Sequence, residues 1–159
     1  MNKLINKLKN DEAVIGTWCH IPNSQVVEII GSTHLDFIIF DMEHGPHSFS
    51  NLPQLICAAE KSSIEPLVRV PSITNSNILR SLDSGAKGIV VPHVDSVEKA
   101  EHSINLMYYG KNENSRGVAT LTRAAMFDIN NERHYLRNAN NQIISILIIE
   151  DRAGLESLE

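Results

Sequence analysis

Polar side chains that could do chemistry stand where short apolar runs of the sequence end. They are Asp41, Glu43, His44, Arg69, His93 and Glu150. A carboxylate such as that of Glu150 binds hard divalent cations, and Arg69 offers a two-pronged donor for a substrate carboxylate. An imidazole such as that of His44 can transfer protons near neutral pH. A cation ligand, an anion clamp and a base are the groups needed to form and protonate an enolate.

Each of these side chains also has an ordinary structural explanation when it is taken alone. A single histidine such as His44 is more often a hydrogen-bonded structural residue, and Arg69 could be an ion-pair partner. Glu150 could sit in the first turn of a helix, where the helix dipole favours an acid. Their placement at the same end of successive predicted strands favours a shared site instead, because ligands of parallel α/β proteins bind beyond the carboxyl ends of the strands.

The elements that must position these residues alternate between strand and helix. We predict strands at 14–20, 35–41, 66–70, 87–92 and 143–149. We predict helices at 2–12, 23–30, 50–61, 75–84, 96–107 and 131–139, and a further helix from 151. The predicted strands are short, apolar and bounded by glycine or proline, which favours a parallel sheet with crossover helices. No linker or low-complexity segment interrupts the pattern, so we expect residues 1–159 to form one domain.

Composition excludes several classes of function. The chain has 159 residues, of which 42% are hydrophobic and 21% charged, with a net charge of −5. These values are ordinary for a soluble globular protein, and the scattered basic residues give no electrostatic case for nucleic acid. No apolar run approaches the roughly 18 residues of a membrane span. Two cysteines are too few for a disulfide framework, so we expect a reduced, cytoplasmic setting.

A set of short motifs occurs in the order and spacing of one family. The motifs are Asp41-Met-Glu-His-Gly-Pro46, Val68-Arg-Val-Pro71, Leu82-Asp-Ser-Gly-Ala86, Val90-Val-Pro92, Ser115-Arg-Gly117 with Arg123-Ala124, and Ile149-Glu150. On these motifs the chain resembles the HpcH/HpaI aldolase family over nearly all of residues 12–159. These are metal-dependent class II pyruvate aldolases, typified by 4-hydroxy-2-oxoheptanedioate aldolase. The resemblance implies a TIM (β/α)8-barrel type of α/β fold, of which this chain has the first five βα units.

The resemblance also implies roles for individual residues. His44 matches the catalytic base of the family, and Asp83 matches the acid that pairs with the base and orients it. Arg69 matches the arginine that contacts the pyruvyl group and steadies the enolate. Glu150 matches the first of two carboxylate metal ligands, and Asp41 matches a supporting acid near the base. The implied cofactor is Mg²⁺, Mn²⁺ or Co²⁺, the implied partners are pyruvate and an aldehyde, and the implied assembly is a homo-oligomer, generally a hexamer.

Neighbouring polar residues receive no catalytic role from the sequence. Strand alternation would turn Glu43 to the face opposite His44, so we assign Glu43 to structure. His93 follows a predicted strand but matches no catalytic position of the family, and we assign it to structure too. His20 has no metal-ligand spacing, so we expect it on the surface or in a loop.

The chain departs from the family pattern in two respects. Ile148 stands where the family commonly has a glutamine that points into the site, which removes a polar contact to water or substrate. A complete (β/α)8 barrel needs about 250 residues, so we expect the last three βα units to be absent. The absent part would include the aspartate that the family uses as its second metal ligand.

Three functions remain open at this point. The first is a lyase that cleaves a 4-hydroxy-2-oxo acid to pyruvate and an aldehyde, or runs the condensation. The second is a truncated, non-catalytic remnant or a fragment of such an enzyme. The third is a CoA-ester lyase of the citrate lyase β type, which the close Asp-x-Glu-His match disfavours. A Schiff-base mechanism is disfavoured because no lysine on a predicted strand faces the site, and the nearest, Lys87, lies at the very beginning of the fourth predicted strand, next to the preceding turn.

Overall fold

Strands and helices alternate along the chain, as the sequence predicts. The computed structural model describes residues 3–110, 113, 115–128, 130 and 132–158. The strands are β1 (Gly16–Cys19), β2 (Phe37–Asp41), β3 (Glu65–Arg69), β4 (Gly88–Val91) and β5 (Ile144–Leu147). The helices are α1 (Lys3–Lys9), α2 (Ser24–Gly31), α3 (Leu52–Lys61), α4 (Asn75–Asp83), α5 (Val97–Met107), α6 (Glu132–Ala139) and α7 (Arg152–Glu156). Residues 2 and 131, at which two of the predicted helices begin, lie outside the described residues.

The five strands form one parallel sheet in which neighbours in sequence are neighbours in space. The strand order is β1-β2-β3-β4-β5, and every pair is parallel. A doubly wound sheet reverses its direction of winding part-way along the chain, whereas a barrel never does. The sheet is not closed among the described strands. The fold predicted from the sequence, the first five βα units of a TIM-barrel type, is confirmed.

The two faces of the sheet bury different sets of side chains. The face under the helices carries the larger cluster, which includes Val27, Ile38, Phe40, Leu52, Ile56, Val68, Ile78, Leu82, Ile89 and Val91. The opposite face carries a smaller cluster of Leu4, Ile39, Leu67, Val90 and Ile144. Both faces of β2, β3 and β4 are therefore apolar, which explains why these strands appear in the sequence as continuous apolar runs. Ile148 packs against the smaller cluster and so lies on the inner side of the barrel-type sheet.

Helix caps set the places where the chain turns at the carboxyl edge of the sheet, the edge at which the strands end. Asn23, Thr74 and Asp151 precede α2, α4 and α7, and each side chain accepts a hydrogen bond from a backbone N–H of the first turn. Such caps satisfy donors that a helix cannot pair internally. Among the described residues the longest helix is α5, with 11 residues, and no described helix is long and apolar enough to cross a membrane.

Gly88 begins β4 and lies between its register partners Leu67 of β3 and Ile144 of β5. A Cβ atom at this position would lie 2.6 Å from the carbonyl oxygen of Ile144 and 2.8 Å from Cδ2 of Leu67. We therefore expect Gly88→Ala to lower the free energy of unfolding by about 1–3 kcal/mol, because the added methyl group overpacks the core. Urea denaturation measures the change.

Gly117→Ala is the matched control, because no heavy atom lies within 4 Å of a Cβ built there. Its free energy of unfolding should stay within about 0.5 kcal/mol of wild type. Equal unfolding midpoints for the two variants would contradict the strand packing around Gly88.

Candidate active site

Asp41 and Arg69 form an ion pair at the carboxyl edge of the sheet. They are register partners at the ends of β2 and β3. Arg69 Nε donates to Asp41 Oδ1 at 2.8 Å, and Nη2 donates to Oδ2 at 2.5 Å. The side chain of Asp41 is fully buried and that of Arg69 is 12% exposed. Two parallel hydrogen bonds fix the plane of the guanidinium group as well as its position.

Asp41 also controls the path of the chain after β2. Its Oδ1 accepts the backbone N–H groups of Glu43 at 3.0 Å and of His44 at 3.1 Å. Burial raises the pKa of Asp41, but the hydrogen bonds from Arg69, His44 and Glu43 outweigh burial and lower the pKa to about 2. The side chain of Asp41 therefore holds the backbone of His44, the predicted base, and the guanidinium group of Arg69, the predicted anion clamp.

Glu43 points into the site, and the prediction that it turns away was wrong. Its Oε1 lies 2.8 Å from Nε2 of His93, and its Oε2 lies 3.3 Å from Nε of Arg69. The side chain is only 10% exposed. Strand alternation stops at Asp41, the last residue of β2, and the turn capped by Asp41 rotates Glu43 towards the site.

His44 lies at the same edge, and its side chain is exposed to solvent. The ring is 68% exposed, and its Nε2 lies 3.9 Å from Oε1 of Glu43, which is beyond hydrogen-bond length. Solvent and a small substrate can therefore reach the imidazole, which suits the predicted role of a base.

Asp83 lies at the other edge of the sheet. It is the last residue of α4, the helix that returns the chain to the start of β4. Its Oδ1 accepts a hydrogen bond from Nη2 of Arg116 at 2.6 Å, and the buried Arg116 guanidinium also covers the ring of Tyr109. The single chain does not bring Asp83 to His44, and their pairing stays a prediction.

Glu150 faces the same edge as Asp41 and Arg69. Its Oε1 accepts the backbone N–H of His93 at 2.7 Å and lies 3.0 Å from Nδ1 of that ring. The hydrogen bonds that Arg69 donates to Asp41 are the main cause that raises the pKa of Arg69, and the negative charges of Glu43 and Glu150 add to it. The charge of Glu150 therefore contributes to the electrostatic field around the Asp41–Arg69 ion pair.

Sequence reasoning gave three residues of this edge no role in the site. Trp18 of β1 lies under Arg69, with the guanidinium carbon 4.5 Å from the ring centroid. His20 Nε2 lies 3.3 Å from Oδ2 of Asp41, and His93 bridges Glu43 and Glu150. The sequence does indicate that both histidines could lie near the site, because each follows a strand at the carboxyl edge. It gives no such indication for Trp18, since this residue lies within a strand.

The negative charge and the oxygen donors at this edge are of the type that binds a divalent cation. In the described part of the chain, the carboxylates of Asp41, Glu43 and Glu150 face one guanidinium, that of Arg69, so negative charge is in excess. Oxygen donors of this kind bind Mg²⁺ and Mn²⁺. Among the residues that the structure describes, however, no group of three His, Cys, Asp or Glu side chains is arranged to hold a metal ion. Glu150 would therefore be one ligand of a site that needs further donors.

The Asp41–Arg69 pair predicts a specific dependence of stability on pH. The folded-state pKa of Asp41, about 2, lies below its ordinary value of 3.8, so its ionisation stabilises the fold above about pH 4 and this stabilisation is lost as the pH falls towards 2. At pH 7 we expect Asp41→Asn to lower the free energy of unfolding by about 3–5 kcal/mol, because Arg69 loses its buried partner.

Urea denaturation at pH 7, 4 and 2 measures this effect. The difference between wild type and Asp41→Asn should shrink towards pH 2, whereas Glu101→Gln, at an exposed position of α5, should follow wild type throughout. A constant difference at all three pH values would count against the ionised pair.

Known proteins resemble this chain in sequence and in fold. A profile of the HpcH/HpaI aldolase/citrate lyase family matches residues 14–159. A hydroxypyruvate/pyruvate aldolase of Paraburkholderia phytofirmans is 33% identical over 99% of this chain and 62% of its own length. A pyruvate aldolase of Rhizobium etli is 35% identical over 100% of this chain and 61% of its own length.

Solved structures agree with the sequence comparison. An HpcH/HpaI aldolase/citrate lyase family protein from Burkholderia cenocepacia superposes with a TM-score of 0.91 at 29% identity, over 99% of this chain and 63% of that one. An HpcH/HpaI aldolase from Desulfitobacterium hafniense gives a TM-score of 0.86 at 27% identity, over 98% and 60%. The chain thus spans about three fifths of the length of its relatives. The profile match and these likenesses show that the chain belongs to the HpcH/HpaI aldolase/citrate lyase family.

Proposed function

We propose that the protein is a carbon–carbon lyase that cleaves a 4-hydroxy-2-oxo acid to pyruvate and an aldehyde, or runs the reverse condensation. The observation that carries this proposal is an arginine held rigidly by Asp41 beside a solvent-accessible histidine at the carboxyl edge of a barrel-type sheet. Family membership supports the reaction class, and the relatives named above are a pyruvate aldolase and a hydroxypyruvate/pyruvate aldolase.

Arg69 is the residue that we assign to the oxo acid. A guanidinium group has five N–H donors, and the pair with Asp41 uses donors on Nε and Nη2. Among the described residues no hydrogen bond uses Nη1, so this side is left for a substrate oxygen. Because Asp41 and the ring of Trp18 hold the guanidinium from two directions, the cation is already oriented before the enolate charge develops.

His44 is the residue that we assign to proton transfer. As base it removes the proton of the 4-hydroxyl group, directly or through a water molecule, and the C4–O bond becomes a carbonyl. The C3–C4 bond breaks, its electron pair enters the enolate of pyruvate, and the aldehyde leaves. Protonation of C3 then yields pyruvate, and Arg69 stabilises the enolate oxygen until that step.

Glu150 is the residue that we assign to a metal ion. A divalent cation such as Mg²⁺, Mn²⁺ or Co²⁺, when bound, would polarise the keto group and withdraw charge from the enolate. The excess of carboxylates at this edge supports a cation, since an anionic oxo acid would otherwise meet a negative surface. Ile148 adds no polar contact there, because it packs with the inner apolar cluster.

We further propose that the active protein is a homo-oligomer. Asp83 and His44 lie at opposite edges of one sheet, so their pairing would need Asp83 from a second copy of the chain. In one chain Asp83 is bonded to Arg116, and a second copy would share or replace that contact.

Exchange of the methyl protons of pyruvate in D₂O tests the enolate chemistry without a choice of aldehyde. Followed by NMR in the presence of Mg²⁺ or Mn²⁺, the exchange rate should fall by about 10²–10⁴-fold in His44→Ala, because the base is removed. Arg69→Lys should lower it too, because lysine keeps the charge but cannot make the two-pronged contacts with Asp41.

His102→Ala is the control, since His102 is an exposed histidine of α5. It should exchange pyruvate protons at the wild-type rate. An exchange rate in His44→Ala equal to that of wild type would rule out His44 as the base.

A further inference from the structure

We propose that His47 is a positioning residue, which fixes the loop of the proposed base His44 by a hydrogen bond to the end of β1. His47 directly follows the motif Asp41–Pro46 and is not part of it. This role rests on the proposed function of His44 in proton transfer. It goes beyond that function because it identifies the contact that holds the far end of the loop.

The His44 loop, residues 42–47, is held at its near end by β2 and β3. Met42 donates its backbone N–H to the carbonyl of Arg69 at 3.0 Å. The side chain of Asp41 accepts the backbone N–H groups of Glu43 and His44. The ring of His44 is 68% exposed, so packing around the ring restrains it little. The backbone of the loop therefore decides where the imidazole lies.

The far end of the His44 loop is held by the side chain of His47. Its Nε2 lies 2.7 Å from the backbone carbonyl oxygen of Cys19, the last residue of β1. The ring is buried and meets the ring of Phe40 edge-on, with 5.6 Å between the ring centroids. Because Phe40 of β2 is the register partner of Cys19, the imidazole spans the junction of the two strands. A backbone carbonyl can only accept, so Nε2 carries the proton and donates it.

Packing alone does not account for an imidazole at this position. Among the described residues, Nδ1 of His47 is buried and has no hydrogen-bond partner. A buried polar atom without a partner lowers stability. An apolar ring of similar size would avoid this cost, but it could not donate to the carbonyl of Cys19. The donated hydrogen bond is therefore what histidine supplies here.

Cys19 connects this hydrogen bond to other residues of the carboxyl edge. Trp18, which precedes Cys19, stacks on the guanidinium of Arg69. His20, which follows Cys19, has its Nε2 3.3 Å from Oδ2 of Asp41. The His44 loop is thus attached on both sides of β2, to β3 at one end and to β1 at the other.

Loss of the hydrogen bond from His47 should affect proton transfer more than pyruvate binding. A displacement of about 1 Å in a catalytic group can lower a rate by about 100-fold. Without the far attachment, His44 would spend less time in its productive position. Arg69 would still keep both hydrogen bonds to Asp41, so the proposed contact with the oxo acid would remain.

Two substitutions at position 47 separate the hydrogen bond from the packing of the ring. His47→Phe removes the donor and keeps a ring against Phe40. It also removes the unpaired Nδ1, which offsets the donor lost to Cys19, so the thermal unfolding midpoint should stay close to that of wild type. His47→Gln keeps a side-chain N–H that can donate to the carbonyl of Cys19.

Amide hydrogen exchange measures the loop without any reaction. It is followed by mass spectrometry on the full chain without added metal, in the peptide that covers residues 42–47. In His47→Phe this peptide should exchange about 2- to 10-fold faster than in wild type, which is the factor that one hydrogen bond contributes to a local opening equilibrium. In His47→Gln it should exchange nearly as slowly as in wild type.

Exchange of the methyl protons of pyruvate in D₂O measures the effect on proton transfer. The maximal rate should fall by about 10- to 100-fold in His47→Phe, and His47→Gln should recover most of it. The pyruvate concentration at half-maximal rate should stay near that of wild type, because Arg69 remains held. His102→Phe makes the same substitution at an exposed position of α5 and should match wild type in both exchange measurements.

Three outcomes would overturn the proposal. The first is loop exchange in His47→Phe that is as slow as in wild type, and the second is an equal acceleration in His47→Phe and His47→Gln. The third is the Nδ1–H tautomer of His47 in the ¹⁵N NMR spectrum of wild type, a measurement that needs no variant to fold. Faster loop exchange in His47→Phe together with no pyruvate exchange in wild type would contradict the proposed lyase function and leave the contact of His47 standing.

Discussion

The ion pair between Asp41 and Arg69 joins two neighbouring strands at the point where both end. Its existence depends on strand register, because a slip of one residue would turn every side chain of a strand to the opposite face. The same carboxylate that orients the guanidinium also caps the turn after β2, which carries Glu43 and His44. One buried acid thus couples the packing of the sheet to the position of the proposed base and of the proposed anion clamp.

Much of the fold could be predicted from the sequence because its determinants are local. Apolar runs bounded by glycine or proline mark the strands, and cap residues such as Asn23 and Thr74 mark helix starts. The strand order needs no long-range information, because each βα unit simply adds beside the previous one. The convergence of Asp41, Arg69 and Glu150 at one edge follows from the parallel arrangement.

The finer geometry of the site depends on features that a residue pattern does not carry. The predicted direction of the Glu43 side chain was wrong because the alternation of side chains along β2 was extended into the turn after the strand. The position of Asp83 depends on α4, since a helix that crosses the sheet carries its last residue to the opposite edge. His93 owes its contacts to a positive φ, which the sequence does not indicate for a residue other than glycine or asparagine.

Trp18 is the one tryptophan of the sequence, and its indole is stacked under the guanidinium of Arg69. The tryptophan emission of the folded protein therefore arises within one contact of the ion pair. A small anion that draws Arg69 away from the indole, or a cation that alters the surrounding charge, changes the environment of this single indole. The stacking that steadies the arginine thus also makes the carboxyl edge of the sheet optically observable in the unlabelled protein.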